Sequence, residues 1–217
     1  MGGRKTEPGE PPLIIFMPEQ RLLFKKVGVF VDWENVRKNI FETAKHKQVR
    51  DINYNEVSNV FSFIKAFMDD TCEEIYRIFF YTALPFSGEI KGIDYSKTRV
   101  YSSAMNFIEQ LSKREYIAVR KGIMKLKGFN MKQQPIFIQK QVDILLGLDI
   151  AHVSYHKLVD RVLILSGDTD LIPAMKVART NGIQVILGYC PDVQKVSKKL
   201  LVHTDIIRDI QFRNINF

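Results

Sequence analysis

Cysteine, histidine and long apolar runs are all scarce in this sequence of 217 residues. The two cysteines, Cys72 and Cys190, lie far apart, and the four histidines share no regular spacing with them or with each other. This pattern excludes a disulfide framework and argues against a zinc site. No apolar run approaches the roughly 18 residues that a membrane span requires. We therefore expect a cytoplasmic protein without a membrane-spanning segment.

The beginning of the sequence also lacks the apolar core of an export signal. Residues 1–12, MGGRKTEPGEPP, are rich in glycine, proline and charge. We predict that 1–26 form an N-terminal tail, with an added edge hairpin as one option for 13–26. The folded domain is then predicted to span 27–210 and to be followed by a C-terminal tail, 211–217. This length suits one hydrophobic core and is short for two.

Acidic residues are outnumbered by basic ones. There are 32 lysines and arginines against 24 aspartates and glutamates, which gives a formal net charge of +8. A surplus of positive charge favours association with polyanions. Nucleic acid is therefore the leading candidate for a partner, while the oligomeric state stays open, a homodimer being one option.

Strand-like and helix-like segments alternate along the chain. Strands are predicted at 27–31, 74–82, 116–122, 161–166, 183–189 and 205–210. Helices are predicted at 33–47, 53–68, 95–111, 141–156 and 171–180. This alternation is typical of an α/β fold in which a central, mostly parallel sheet is covered by helices on both faces. The sequence thus predicts a single three-layer, Rossmann-like domain.

One segment, 122–140, departs from this alternation. Its sequence, GIMKLKGFNMKQQPIFIQK, has two strand-like runs around a Gly-Phe-Asn turn, which predicts an inserted β-hairpin. The segment contains no acidic residue, and its lysines are Lys125, Lys127, Lys132 and Lys140. Lysines of this kind hold a phosphate backbone without recognising base sequence. We predict that they bind the substrate.

Acidic and amide side chains follow two of the predicted strands. The runs VGVFVD and RVLILSGD end in Asp32 and Asp168, and Asn35 and Asp170 come shortly after them. Because parallel strands bring their carboxyl ends to one edge of the sheet, these side chains should meet there. Neighbouring carboxylates raise one another's pKa unless a cation lies between them. Oxygen ligands without cysteine or histidine suit Mg²⁺ or Mn²⁺.

Three further residues extend this candidate site. Asp143 opens the predicted helix 141–156, directly after Lys140, which is a candidate for steadying a phosphate. Asp149 comes six residues later, about 9 Å along a helix, and so is a candidate for supporting the ion or for holding a second one. Ser166 can either orient a carboxylate or bond to the turn backbone.

Each of these residues also has a simpler interpretation. Asp32 and Asp168 are suited to cap the helices that follow their strands. Capping accounts for one aspartate at each strand end, but not for Asp170 or Asn35. Trp33, the only tryptophan, can either stack on a base or pack beneath the next helix.

From about Val27 to Ile207 the sequence resembles the NYN domains, which belong to the PIN-like nucleases. The resemblance rests on FVDWEN at 30–35, KQVD at 140–143 and LSGDTDLIP at 165–173. It implies acidic-site roles for Asp32, Asn35, Asp143, Asp168, Asp170 and Asp149. Family members commonly have a small residue after the lysine of the second motif, where this chain has Gln141.

The resemblance and the residues together predict a metal-dependent endoribonuclease that hydrolyses RNA phosphodiester bonds with Mg²⁺ or Mn²⁺. Asp32, Asp143 and Asp168 would bind one ion, and Asp170 or Asp149 would support it. Two alternatives stay open. The first is a non-catalytic RNA-binding module. The second is a phosphatase of the haloacid dehalogenase type, although that chemistry needs an aspartate at position 34, which is Glu34.

Overall fold

The computed structural model of the protein describes residues 24–217. The edge hairpin predicted at 13–26 falls mainly outside this range, and its last two residues, Lys25 and Lys26, open the first strand. The domain limits of 27 and 210 remain a prediction. Within the described range no helix is long and apolar enough to cross a membrane.

The architecture is a seven-stranded sheet in the order β6-β5-β2-β1-β7-β8-β9. Its strands are β1 (Lys25–Asp32), β2 (Glu73–Leu84), β5 (Ile117–Phe129), β6 (Pro135–Lys140), β7 (Arg161–Leu165), β8 (Gln184–Tyr189) and β9 (Ile206–Asp209). Every neighbouring pair is parallel except β5 and β6, which form the predicted antiparallel hairpin. The α/β prediction is confirmed.

Helices cover both faces of this sheet. They are α1 (Trp33–Val36), α2 (Thr43–His46), α3 (Val57–Lys65), α4 (Arg99–Ser112), α5 (Val142–Tyr155), α6 (Ile172–Thr180) and α7 (Lys198–Leu201). The first four pack into one hydrophobic core and the last three into the other. Because both faces are covered, the central strands are continuous apolar runs; all of Val27, Val29, Phe30 and Val31 in β1 are fully buried.

The structure refines several predicted boundaries. The predicted helix 33–47 is α1 and α2 joined by a π-helical stretch, Arg37–Glu42. The segment after β2, predicted as a loop, contains a small two-stranded sheet of β3 (Glu89–Ile90) and β4 (Ile93–Asp94). Residues 211–217, predicted as a tail, place Phe212 in the core, where it is fully buried.

Candidate active site

The candidate site lies at the carboxyl edge of the sheet, where β1 and β7 end side by side. Asp32 is the last residue of β1 and is only 4% exposed. In the parallel register Val31 pairs with Leu165, so that Asp32 and Ser166 are the next residues on the two strands. The hydrophobic strands thus deliver one carboxyl group and one hydroxyl group to the same buried spot.

A hydrogen-bond chain joins the two turns that leave these strands. The Ser166 Oγ donates to Asp32 Oδ2 at 3.0 Å and accepts from the Asp168 backbone N–H at 3.1 Å. The Asn35 side-chain oxygen accepts from the Gly167 N–H at 3.0 Å, and the Asn35 N–H donates to Asp32 Oδ1 at 3.3 Å. Asn35 and Ser166 therefore fix the acidic turns relative to one another.

Asp32 and Asp168 both cap the helical turns that follow their strands, and this role is compatible with a place in the acidic site. Asp32 caps α1 through the Asn35 N–H, and Asp168 caps the short 3-10 turn Thr169–Leu171 through the Asp170 N–H at 2.9 Å. Each cap uses one carboxylate oxygen. Within residues 24–217, the other oxygen of Asp168 has no hydrogen-bond partner and stays available to a ligand.

Asp143 reaches the same edge from the first turn of α5. The turn before α5 is unusual, because Gln141 adopts a left-handed backbone with φ of 75°. This is the position at which the family commonly has a small residue, and a left-handed conformation favours glycine. Burial raises the pKa of Asp143, and so do the negative charges of Asp168 and Asp170.

The pKa of Asp32 is raised to about 6. Its burial is the main cause, and the hydrogen bonds from Asn35 and Ser166 oppose the shift, while the charges of Asp143 and Asp168 add to it. Within residues 24–217, no lysine or arginine forms an ion pair with Asp32, Asp143, Asp168 or Asp170. The four carboxyl groups form an acidic site that no basic residue of the described range neutralises.

Asp149 occupies a different environment from the other aspartates. Its carboxylate accepts from Arg120 Nε at 2.7 Å and from the Tyr81 hydroxyl at 2.8 Å. Arg120 lies on β5 and Tyr81 on β2, where it is the register partner of Asp32. Asp149 thus links α5 to the sheet behind the acidic site, and its charge is already balanced.

The donor set fits a hard divalent cation that keeps some of its water. All candidate ligands are oxygens, and Mg²⁺ commonly uses one or two carboxylates together with water and substrate phosphate. Within residues 24–217, no three acidic, histidine or cysteine side chains already have the spacing of a complete metal cage. The candidate ligands are Asp32, Asp143, Asp168 and Asp170, which would hold an ion directly or through its water molecules.

The hairpin of β5 and β6, here called the basic hairpin, lies beside this site. Lys125 and Lys127 lie on β5, Lys140 ends β6, and Lys132 lies in the connecting turn. All four are exposed, and none has an acidic partner in the part of the chain that the structure describes. The turn between β3 and β4 contacts the hairpin: Lys91 Nζ lies 4.6 Å from the centre of the Phe129 ring.

Two residues that support the site were missed by sequence reasoning. Gly122 in β5 packs so closely on the turn before α5 that an added Cβ would lie 2.5 Å from the Lys140 carbonyl oxygen and 2.6 Å from Val142 Cγ2. A glycine inside a strand signals such a close approach. Arg120 was missed because its partner, Asp149, is 29 residues away in sequence.

Comparison with solved structures concerns the fold alone. The fold is similar to that of VPA0982, a protein of unknown function from Vibrio parahaemolyticus RIMD 2210633, with a TM-score of 0.51 and 18% identity over 89% of this chain and 97% of that one. The crystal structure of Sa239 matches with a TM-score of 0.31 and 15% identity over 64% of this chain and 44% of that one. No curated protein is significantly similar.

The family assignment rests on the sequence. The NYN domain matches residues 26–209, which include every strand of the large sheet apart from the first residue of β1. The three motifs at 30–35, 140–143 and 165–173 fall inside this range and meet at one edge of the sheet. The protein therefore belongs to the NYN domain family, a branch of the PIN-like nuclease superfamily.

Proposed function

We propose that this protein is a metal-dependent endoribonuclease. The observation that carries the proposal is the buried Asp32 carboxyl group at the carboxyl edge of the sheet. It faces the charges of Asp143 and Asp168 and has no basic partner among residues 24–217. Burying such a group destabilises the folded protein, which is expected when a carboxylate is kept to bind a cation.

The roles of the residues follow from their positions. Asp32, Asp143 and Asp168 would hold Mg²⁺ or Mn²⁺, with Asp170 in support. When bound, the ion lowers the pKa of a water molecule and offsets charge on the phosphate. Ser166 and Asn35 keep the carboxylates in place, and the Asp149–Arg120 pair fixes α5 against the sheet.

The lysines of the basic hairpin would hold the RNA backbone. Lys140 is nearest in sequence to Asp143 and is the candidate for contacting the scissile phosphate, while Lys125, Lys127 and Lys132 would guide the flanking strand. We place this activity in the cytoplasm, a reducing compartment that suits the two free thiols of Cys72 and Cys190.

The direct test is cleavage of end-labelled RNA by the parent protein and the Asp168→Asn variant, with Mn²⁺, Mg²⁺ or EDTA. The asparagine keeps the oxygen that accepts from the Asp170 N–H, so the turn should persist. We expect cleavage to require metal and to be lost in the variant, while RNA binding is kept or strengthened because a negative charge is removed.

A matched control is Asp70→Asn. Asp70 is 71% exposed and pairs with Lys65 before β2, at the opposite edge of the sheet, so this variant should cut like the parent. Cutting by Asp168→Asn at the parent rate would make the site assignment wrong. Metal-dependent melting shifts without any cutting would support the non-catalytic RNA-binding module instead.

The phosphatase alternative is less well supported by the geometry. Position 34, where that chemistry needs an aspartate, is Glu34. Its carboxylate pairs with Lys38 Nζ at 2.6 Å and with Arg37 at 3.1 Å. Turnover of p-nitrophenyl phosphate that is lost in Asp32→Asn would revive this alternative.

A further inference from the structure

The helix α5 is apolar on two opposite sides. One side packs in the core against the sheet and consists of Val142, Leu146, Ile150 and Val153. The other side faces away from the sheet; it consists of Ile144, Leu148, Ala151 and Tyr155 and is here called the outer stripe. A surface helix normally has polar residues on the side opposite to the core. The sequence of α5 is therefore that of a helix covered from both sides.

The outer stripe is uncovered in the part of the chain that the structure describes. The exposed fractions are 68% for Ile144, 62% for Leu148 and 75% for Tyr155, and Ala151 is half-buried. Exposed apolar residues are usually scattered singly over a protein surface. Here they lie in line on one helix and form an apolar patch on the order of 400 Å², a size that often marks an interaction site.

The spacing of the outer stripe reads the same in both directions. Its residues are separated by four, three and four positions, as in a seam along which two helices pack. A second α5 that runs the opposite way therefore presents the same positions in the same order. About a twofold axis between positions 148 and 151, Ile144 lies opposite Tyr155 of the second copy, and Leu148 lies opposite Ala151 of the second copy. A large side chain thus meets a small one beside the axis.

The charges on and around the stripe favour the same arrangement. The stripe contains no charged residue, so it offers nothing to the phosphates of a nucleic acid. Asp143 lies in the first turn of α5, and Lys157 follows the last turn. Antiparallel pairing brings the acidic end of each helix towards the basic end of the other and opposes the two helix dipoles. A parallel pair would instead bring like charges together.

The area of the stripe suits a reversible dimer. Two such patches with a polar rim would bury about 1,200 Å² in total, which is the lower limit for a stable, specific interface. Contacts of this size typically belong to partners that associate and separate. The fraction of dimer should therefore depend on protein concentration.

We infer that α5 forms the contact of a homodimer, in which two copies of the protein pack their outer stripes antiparallel about a twofold axis. Such a contact uses the same patch on both copies. The two acidic sites would lie at opposite ends of the helix pair, about 20 Å apart along its axis, because α5 has 14 residues. This dimer does not depend on the proposed cleavage of RNA.

Sedimentation velocity over about a hundredfold range of protein concentration tests this dimer. We expect the parent to shift from monomer to dimer as the concentration rises. Leu148→Glu should stay monomeric, because the two new carboxylates would lie close together beside the twofold axis. The matched control is Val202→Glu: Val202 is 72% exposed but directly follows α7, outside the stripe, so this variant should dimerise like the parent. A parent that is monomeric at every concentration, or equal behaviour of the two variants, would overturn the inference and leave the stripe to a different partner.

A pair of charge changes tests the antiparallel arrangement. Ile144→Glu should weaken dimerisation about tenfold or more, because a carboxylate would be buried against Tyr155 of the second copy. Adding Tyr155→Lys should restore the dimer, because each new carboxylate would then face a new ammonium group of the other copy. Positions 144 and 155 lie about 16 Å apart along one helix, so this pair cannot form within one copy. Thermal melting checks that all variants are folded. A double variant as monomeric as Ile144→Glu would overturn the antiparallel dimer.

Discussion

The two edges of the sheet each bury a carboxyl group, and they treat it in opposite ways. Glu73 begins β2 at the amino edge, and its side chain is fully buried. It accepts from Arg161 at 2.7 Å, from Arg208 at 2.6 Å and from the Asp69 N–H at 3.0 Å. Burial alone would raise the pKa of Glu73, but these bonds more than offset it, so the pKa is lowered.

Asp32 at the carboxyl edge is buried to a similar degree but has no basic partner in the described part of the chain, and its pKa is raised to about 6. The comparison teaches that burial by itself does not decide whether a carboxyl group is structural. At the amino edge Arg161 and Arg208 supply the positive charge, and their bonds to Glu73 link β7 and β9 to β2. The carboxyl edge leaves the charge of Asp32 without a basic partner within residues 24–217.

Removing the charge at the amino edge should have the larger effect on stability. In Glu73→Gln, Arg161 and Arg208 would lose their buried counter-charge, which typically costs about 3–5 kcal/mol of unfolding free energy. Chemical denaturation measures it, with Glu74→Gln, at the exposed neighbouring position, as the control. A loss no greater than that of the control would mean that the network is not structural.

Removing the Asp32 charge at the carboxyl edge should instead make the folded protein more stable. The folded protein holds the Asp32 proton more tightly than the unfolded chain, so stability falls as pH rises from about 4 to about 6. Above that range the penalty reaches about 3 kcal/mol. Without divalent ions, Asp32→Asn should therefore be more stable than the parent at pH 7.5.

The difference between Asp32→Asn and the parent should disappear near pH 4. Saturating Mn²⁺ should also reduce it, because the ion stabilises only the parent carboxylate. Melting temperatures of the two proteins at the three conditions check this. A parent that is as stable as the variant at pH 7.5 in EDTA would contradict the described environment of Asp32.

A smaller effect is expected when one carboxylate of the acidic site, Asp143, is displaced without losing its charge. In Gly122→Ala the new methyl group would push against Lys140 and Val142, and so displace Asp143 from Asp32. We expect a loss of about 1–3 kcal/mol in stability and a fall in cleavage of about tenfold or more. Unchanged denaturation and cleavage would show that the turn before α5 can move without cost. Gly92→Ala, in the open turn between β3 and β4, provides a glycine control for the cleavage measurement.

Much of the carboxyl edge was predictable because it depends on local sequence. A buried parallel strand is a continuous apolar run, so VGVFV and RVLIL showed where β1 and β7 would end. Asp32 directly follows the first run, and Asp168 comes three residues after the second. The hairpin was predictable because two strand-like runs flank a turn. The roles of these residues in catalysis and metal binding remain predictions.

Other features depend on contacts between distant segments and left no local signal. The pairing of Asp149 with Arg120 needs β5 and α5 to be packed together before it can be seen. Gln141 gave no sign of its left-handed backbone, because glutamine rarely adopts it and the surrounding packing imposes it. A cleft lined by Trp33, Tyr54 and Gln139 is assembled from six separate stretches of sequence.

The hairpin has one more consequence, which concerns solubility. Among residues 24–217, β6 is the last strand on its side of the sheet, and the edge of a sheet offers unpaired backbone groups to strands of other molecules. Pro135 at its start, Lys140 at its end and the irregular register between Leu126 and Gly128 all discourage such pairing. The charge that we propose to bind RNA thus also discourages strand pairing at an open edge.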